Sequence, residues 1–200
     1  MAYTSIDDAG LFYKTVIFTG DGSDGRAITV GFQPDLVWCR NRDDDSGGWL
    51  IDSTRGNNAA LQTTNANAEG TFASMTFESN GITVSGNENL NNENAHKYVV
   101  WNWKTGTSFS NDASATGIGS LDSSGSVSDT AGISIVSYTG NETASTLKHG
   151  LSTKPNMIIV KGRIAARNWI VGHNEEGWTK STSMDSAATF SSQTHWNNTE

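Results

Sequence analysis

The sequence predicts an all-β protein, built as two tandem antiparallel β-sandwiches of which the second is incomplete. Three observations carry this. The first is an internal repeat. Pro34 lies in Gly31-Phe-Gln-Pro-Asp-Leu-Val-Trp-Cys-Arg-Asn-Arg42, and Pro155 lies in Gly150-Leu-Ser-Thr-Lys-Pro-Asn-Met-Ile-Ile-Val-Lys-Gly-Arg163, 121 residues later. Thr15-Val-Ile-Phe-Thr-Gly20 resembles Ile135-Val-Ser-Tyr-Thr-Gly140, and Trp49-Leu-Ile-Asp52 resembles Trp169-Ile-Val-Gly172. The second is composition: 21 glycines, 7 tryptophans and much Ser, Thr and Asn suit short strands joined by polar turns. The third is that no segment has a convincing helical period.

The elements follow in order. Residues 1–12 are a lead-in, and 13–104 form the first copy. Residues 13–19 read as a strand, Gly20-Asp-Gly-Ser-Asp-Gly25 as a turn tolerant of positive φ, and 27–30 as a second strand. Pro34 stands at the entrance of Leu36-Val-Trp-Cys-Arg40, where its missing N–H costs the ladder nothing. That run is continuously apolar, which predicts cover on both faces. Asp43-Asp-Asp-Ser-Gly-Gly48 turns the chain into Trp49-Leu-Ile-Asp52. Phe72, Met75 and Phe77 suggest weakly patterned strands, and Gly81 to Ser85 is another strand. Gly86 to Ala95 reads as a solvated Asn-rich loop. His96 to Lys104 is a long strand in which Tyr98 and Val100 alternate with Val99, Trp101 and Trp103.

Residues 105–131, rich in Gly, Ser and Thr, read most simply as a flexible linker, with two short polar strands as the alternative. The second copy occupies 132–200. Counterparts of 81–85 and 96–104 would fall near 201–224, so this copy is expected to be truncated or completed elsewhere.

Net charge is −8, concentrated in the first half: residues 1–100 carry 6 basic and 13 acidic side chains. No basic stripe exists, which argues against nucleic acid as a partner. No run approaches the roughly 18 apolar residues of a membrane span, and the first eight residues do not read as a signal peptide. The single Cys39, in an apolar run, is expected to be a buried inert thiol. A chain without disulfides fits assembly in a reducing cytoplasm.

Candidate chemistry is sparse. Asp21 and Asp24, with Asp43 and Asp45, offer turn oxygens that would suit Ca²⁺, although neither stretch has the full EF-hand spacing. No other cofactor is expected. Trp49, flanked by Arg42, Asp52 and Arg55, is a candidate glycan-contacting group, because a flat indole beside hydrogen-bonding groups suits a pyranose ring. Glu88 and Glu93 could serve a glycan depolymerase, but nothing fixes the separation of two carboxylates. His96, His149, His173 and His195 stand in unrelated contexts, and no Gly-x-Ser-x-Gly elbow is present.

Residues 31–42, Asp52-Ser-x-Arg-Gly56, Asn91-Asn-Glu-Asn and Tyr98-Val-Val-Trp-Asn-Trp-Lys104 resemble a repeat domain of bacteriophage structural proteins. Tyr138-Thr-Gly-Asn141, His149-Gly-Leu151 and Pro155 to Lys161 resemble the start of a following copy. The resemblance implies jelly-roll, lectin-like sandwiches of the concanavalin A/laminin G type. It implies a non-enzymatic virion component (tail fibre, spike or decoration) located in the particle. Its partners would be other virion proteins, copies of itself and a host-surface glycan. A soluble lectin-like module is the alternative. Lys161-Gly-Arg163 departs from the expected Asn-Arg.

Overall fold

The computed structural model describes residues 8–45, 47–71, 74–86 and 89–196. Glu88 and Phe72 lie outside them, as do the first seven residues of the lead-in. Among the described residues, nine strands build the first unit: β1 (Tyr13–Thr19), β2 (Arg26–Thr29), β3 (Leu36–Asn41), β4 (Gly48–Asp52), β5 (Ala59–Gln62), β6 (Gly70–Thr71), β7 (Met75–Glu78), β8 (Gly81–Val84) and β9 (Lys97–Trp103). They pair as a six-stranded sheet in the order β1-β9-β3-β4-β5-β6 and a three-stranded sheet, β2-β8-β7, antiparallel throughout.

The alternation of side chains along strands builds the core between the two sheets. Val37, Cys39, Ile51, Ala60, Tyr98 and Val100 come from the large sheet, and Ile28, Met75, Ile82 and Val84 from the small one. Each fully buried aliphatic side chain among them contributes roughly 1.5–3 kcal/mol. Cys39 has no exposed surface, and burial pushes its thiol up to about 12. It stays protonated, as an inert core residue should. β9 is an inner strand, second from the sheet edge, hydrogen-bonded to β1 on one side and to β3 on the other. Its outer face carries Trp101 against Trp38 and Trp103 against Tyr13, with ring centroids 5.4 and 5.2 Å apart.

The Pro-Asp of the repeated motif has a structural task. Asp35 is 9% exposed; its Oδ2 accepts from the N–H groups of Thr105 and Gly106, both at 2.8 Å, and its Oδ1 accepts from Ser53 Oγ at 2.9 Å. One carboxylate thereby ties the start of β3 to the ends of β4 and β9.

Of the two readings of 105–131, flexible linker and two short polar strands, the structure takes the second. It forms β10 (Thr107–Asn111), a single helical turn α1 (Ala113–Thr116) and β11 (Ser123–Ser128), and β12 (Ile133–Tyr138) completes the antiparallel sheet β10-β11-β12. Asp112 caps α1 by accepting from Ala115 N at 3.0 Å. Gly125 is required in β11: a Cβ there would lie 2.0 Å from Ile135 O and 2.9 Å from the Phe109 ring. Glycine and serine here thin the strands for close packing, a use that composition alone does not distinguish from flexibility.

The last four strands are β13 (Met157–Val160), β14 (Ile170–His173), β15 (Lys180–Ser183) and β16 (Ser191–Ser192), in that sheet order. They repeat β3-β4-β5-β6 strand for strand. Leu36 pairs with Asp52 and Met157 with His173; Trp49 pairs with Gln62 and Ile170 with Ser183; Ala59 pairs with Thr71 and Lys180 with Ser192. Every pair is displaced by the spacing of the two prolines. Asn174 N donates to Asn156 O at 2.9 Å just as Ser53 N donates to Asp35 O at 2.8 Å.

This register corrects one sequence equivalence. The counterpart of Trp49 is Ile170, and Trp169 falls one place earlier, opposite Gly48. A one-residue slip moves a side chain to the other face. The Trp169 carbonyl accepts from Met184 N at 3.0 Å, as Gly48 O does from Thr63 N, while its side chain reaches the first unit: it is 3% exposed, and its Nε1 donates to Gln62 O at 2.9 Å.

Candidate functional site

A polar cluster forms where β3 ends, β9 begins and residues 89–96 cross between them. The Asn-rich segment expected to be a solvated loop is exposed at Asn89, Asn94 and Ala95, but its middle is an internal plug. Asn91 and Asn92 have no exposed surface. Asn91 Nδ2 donates to Ser74 O and Asn92 Nδ2 to Ser23 O, each at 2.8 Å. Short amide side chains stand in for the backbone partners that an irregular buried segment lacks. Ala95 adopts φ +67°, and Gly20 admits the turn because a Cβ there would lie 2.1 Å from Glu93 O.

That path brings Asp44, Glu93 and His96 together, with ligand atoms all within 4.8 Å of one another. His96 Nδ1 stands 3.4 Å from Glu93 Oε2 and 3.8 Å from Asp44 Oδ2. Asn41, 1% exposed, lies beneath: its Nδ2 is 3.0 Å from His96 Nδ1, 3.2 Å from Asp44 Oδ2 and 2.7 Å from Asn89 Oδ1. Tyr98 OH donates to Asn89 O at 2.9 Å and accepts from Glu93 N at 3.0 Å. Burial raises its phenol to about 12, so it remains a proton donor.

One imidazole nitrogen and two carboxylates are a donor set for a borderline divalent cation such as Zn²⁺ rather than Ca²⁺, which takes six to eight oxygens. The Asn41 amide protons point at the same lone pairs and hold the group as a hydrogen-bonded latch. A cation would have to displace them.

Among the described residues, no group of three potential ligand side chains includes Asp21, Asp24, Asp43 or Asp45, the candidate Ca²⁺ ligands. Asp21 accepts from Ser23 Oγ at 2.7 Å and Ser23 N at 3.0 Å, and it pairs with Arg26 at 3.4 Å. Those bonds, the serine hydroxyl first, hold its carboxyl down at about 2. Asp43 accepts from Lys97 N at 2.8 Å, which lowers it as well. Asp24 and Asp45 are exposed. Among the described residues, the grouping of three potential ligands uses Asp44, the neighbour of two predicted positions, with Glu93 and His96. The Glu-x-x-His spacing of 93–96 was the available signal.

The candidate glycan-contacting residues are also accounted for. Asp52 and Arg55 are nearly buried, at 4% and 5% side-chain exposure, and their Oδ2 and Nε meet at 2.5 Å. Arg55 Nη1 reaches Glu69 at 2.8 Å. Trp49 packs against the core, and Arg42 is exposed on the turn after β3. The fold therefore spends Asp52 and Arg55 on each other.

Glu69 carries the contact between the two units. Its carboxylate takes Arg163 Nε and Nη2, both at 2.8 Å, and its N–H donates to Arg163 O at 2.8 Å. Burial alone would raise Glu69, but the hydrogen bonds from Arg163 and Arg55 outweigh it and hold the acid below its ordinary value. Lys161 Nζ donates to Ala66 O at 3.1 Å and Arg167 N to Ala66 O at 2.8 Å. Residues 161–169 thus clasp 62–69. Sequence reasoning missed this contact, because Glu69 stands in a bland polar stretch.

A family model described as "Domain of unknown function (DUF7483)" matches residues 8–200. The chain belongs to that family. No curated protein and no solved structure matches it.

Proposed function

We propose that this member of the DUF7483 family is a non-enzymatic structural component of a phage virion, in a tail fibre, spike or surface decoration. It is assembled in the host cytoplasm, as copies of itself and with other virion proteins. The observation that carries the reading is the duplicated sheet: β13-β14-β15-β16 repeats β3-β4-β5-β6 in register and is clasped to the first unit through Glu69, Arg163 and Trp169. Repeats that dock on their neighbours suit extended assemblies. The residues behind the phage-domain resemblance serve as framework: Asp35 ties strands, Asn41 and Asn91 satisfy buried groups, and Arg55 pairs with Asp52. Such uses fit a scaffold better than a catalyst.

Mass spectrometry of purified particles tests the assignment. The chain is expected at structural stoichiometry, and its absence would refute the reading. Adhesion to host-surface glycan is the role proposed for the particle-exposed face, tested on a glycan array with Arg42→Ala as the surface variant. Release of host polysaccharide fragments, abolished by Glu93→Gln, would overturn the non-enzymatic reading.

A further inference from the structure

The group formed by Asp44, Glu93 and His96 has the spacing of a metal-binding set. Its three ligand atoms lie within 4.8 Å of one another. His96 Nδ1 stands 3.4 Å from Glu93 Oε2 and 3.8 Å from Asp44 Oδ2. A tetrahedral ion with bonds of about 2.0–2.1 Å holds its ligand atoms about 3.3–3.4 Å apart. Small side-chain movements close that difference.

The surroundings are rich in lone pairs. Five acceptor atoms lie within 3.5 Å of Asn41 Nδ2: Asp44 Oδ2, Asn89 O, Asn89 Oδ1, His96 Nδ1 and Tyr98 OH. An amide carries two protons, so the lone pairs converging there outnumber the donors that Asn41 supplies. Asn41 is 1% exposed, and bulk water does not make up the difference at its nitrogen. Giving up His96 also costs Asn41 little. Asn89 O and Asn89 Oδ1, at 3.1 and 2.7 Å, remain to accept both amide protons.

The ligands stand on fixed backbone. Glu93 N donates to Tyr98 OH at 3.0 Å, His96 N to Glu93 O at 3.2 Å and Gly20 N to His96 O at 2.7 Å. Beside Asp44, Asp43 accepts from Lys97 N at 2.8 Å. Groups already in place lose little freedom on binding. Two carboxylates and a neutral imidazole match the charge of a divalent ion. The ring nitrogen favours a borderline ion over Ca²⁺ and Mg²⁺, which take oxygens. Each of the three side chains is 28% to 33% exposed, so water reaches a fourth position.

We propose that Asp44, Glu93 and His96 bind one divalent transition-metal ion of the Zn²⁺ class, with water as the fourth ligand. The ion is structural: it staples the turn after β3 to the plug and to the start of β9. The site is independent of the virion assignment.

Zn²⁺ added to the chelator-treated full chain tests this. Calorimetry is expected to show saturable binding of one ion per chain. In long-range proton–nitrogen NMR the His96 imidazole is expected to shift, while those of His149, His173 and His195 stay in place. The midpoint of thermal unfolding is expected to rise with Zn²⁺ concentration, since the ion binds the folded site. Ca²⁺ in tenfold excess is expected to leave Zn²⁺ binding unchanged. Asp44→Asn and His96→Gln are each expected to weaken binding at least tenfold, with near-ultraviolet circular dichroism unchanged. Asp45→Asn, at the exposed neighbour, is expected to keep full affinity. The proposal fails if no saturable binding occurs, if another histidine shifts in place of His96, or if equimolar Ca²⁺ displaces Zn²⁺. It also fails if Asp45→Asn weakens binding as much as Asp44→Asn, because the acidic surface would then act as a whole.

Discussion

Strands β3 and β13 begin after the same proline, pair with the next strand in the same register and stand at the head of the same four-strand order. Their environments differ. β3 lies between two strands and beneath a second sheet, and Val37 and Cys39 are sealed; among the described residues β13 pairs with β14 alone, and its residues alternate between half-buried and exposed. The comparison separates what a motif encodes from what its surroundings supply. Proline, turn and apolar run set the strand and its register. Burial comes from β9 and from the β2-β8-β7 sheet.

The largest expected effect contrasts the two units directly. Ile82→Ala, at a site 1% exposed, is expected to cost about 2–5 kcal/mol. Ile159→Ala, at 44% exposure, is expected to stay within about 0.5 kcal/mol. Urea unfolding followed by tryptophan fluorescence measures both, and equal costs would break the comparison. Next comes Gly125→Ala, expected to cost about 1–3 kcal/mol by forcing Phe109 and the Ile135 carbonyl away. Its damage should appear as faster amide exchange in β10, β11 and β12 and not in β3.

The contact between units sharpens the comparison. Glu69→Gln is expected to cost about 1–2 kcal/mol, since Arg55 is buried while Arg163 is half-exposed and shares its charge with solvent. The acid is held below its ordinary value in the folded chain. Its contribution is therefore full above the unfolded value of about 4.3 and is lost as pH falls through the lower folded value. Unfolding between pH 6 and 3 should show that loss in the parent chain and a smaller slope in the Gln variant. A smaller loss is expected for Trp169→Phe, which removes the bond to Gln62 O and costs about 1 kcal/mol. Faster exchange confined to 62–69 and 161–170 would be its signature.

Much of the fold was legible in the sequence, because apolar runs, turn residues and two prolines are local signals. The alternation of Tyr98 and Val100 with Trp101 and Trp103 marks the two faces of β9. Trp169 matches Trp49 by residue type but falls at the Gly48 position, because residue identity carries no information about which face of a strand it occupies. The 105–131 stretch misled for a related reason: small polar residues serve close packing as well as flexibility. The Asn-rich plug and the Glu69–Arg163 contact were hidden since each joins residues far apart in sequence, at 71 and 94 positions for Asn92–Asp21 and Glu69–Arg163. The Asp44–Glu93–His96 cluster was half visible, in a Glu-x-x-His spacing whose third member arrives only through folding.

Residue-resolved amide exchange on the whole chain tests the central claim most directly, by comparing 36–41 with 157–160. If identical motifs owe their different burial to β9 and the second sheet, the β3 amides should exchange at least 100-fold more slowly than those of β13. Equal protection of the two strands would contradict it.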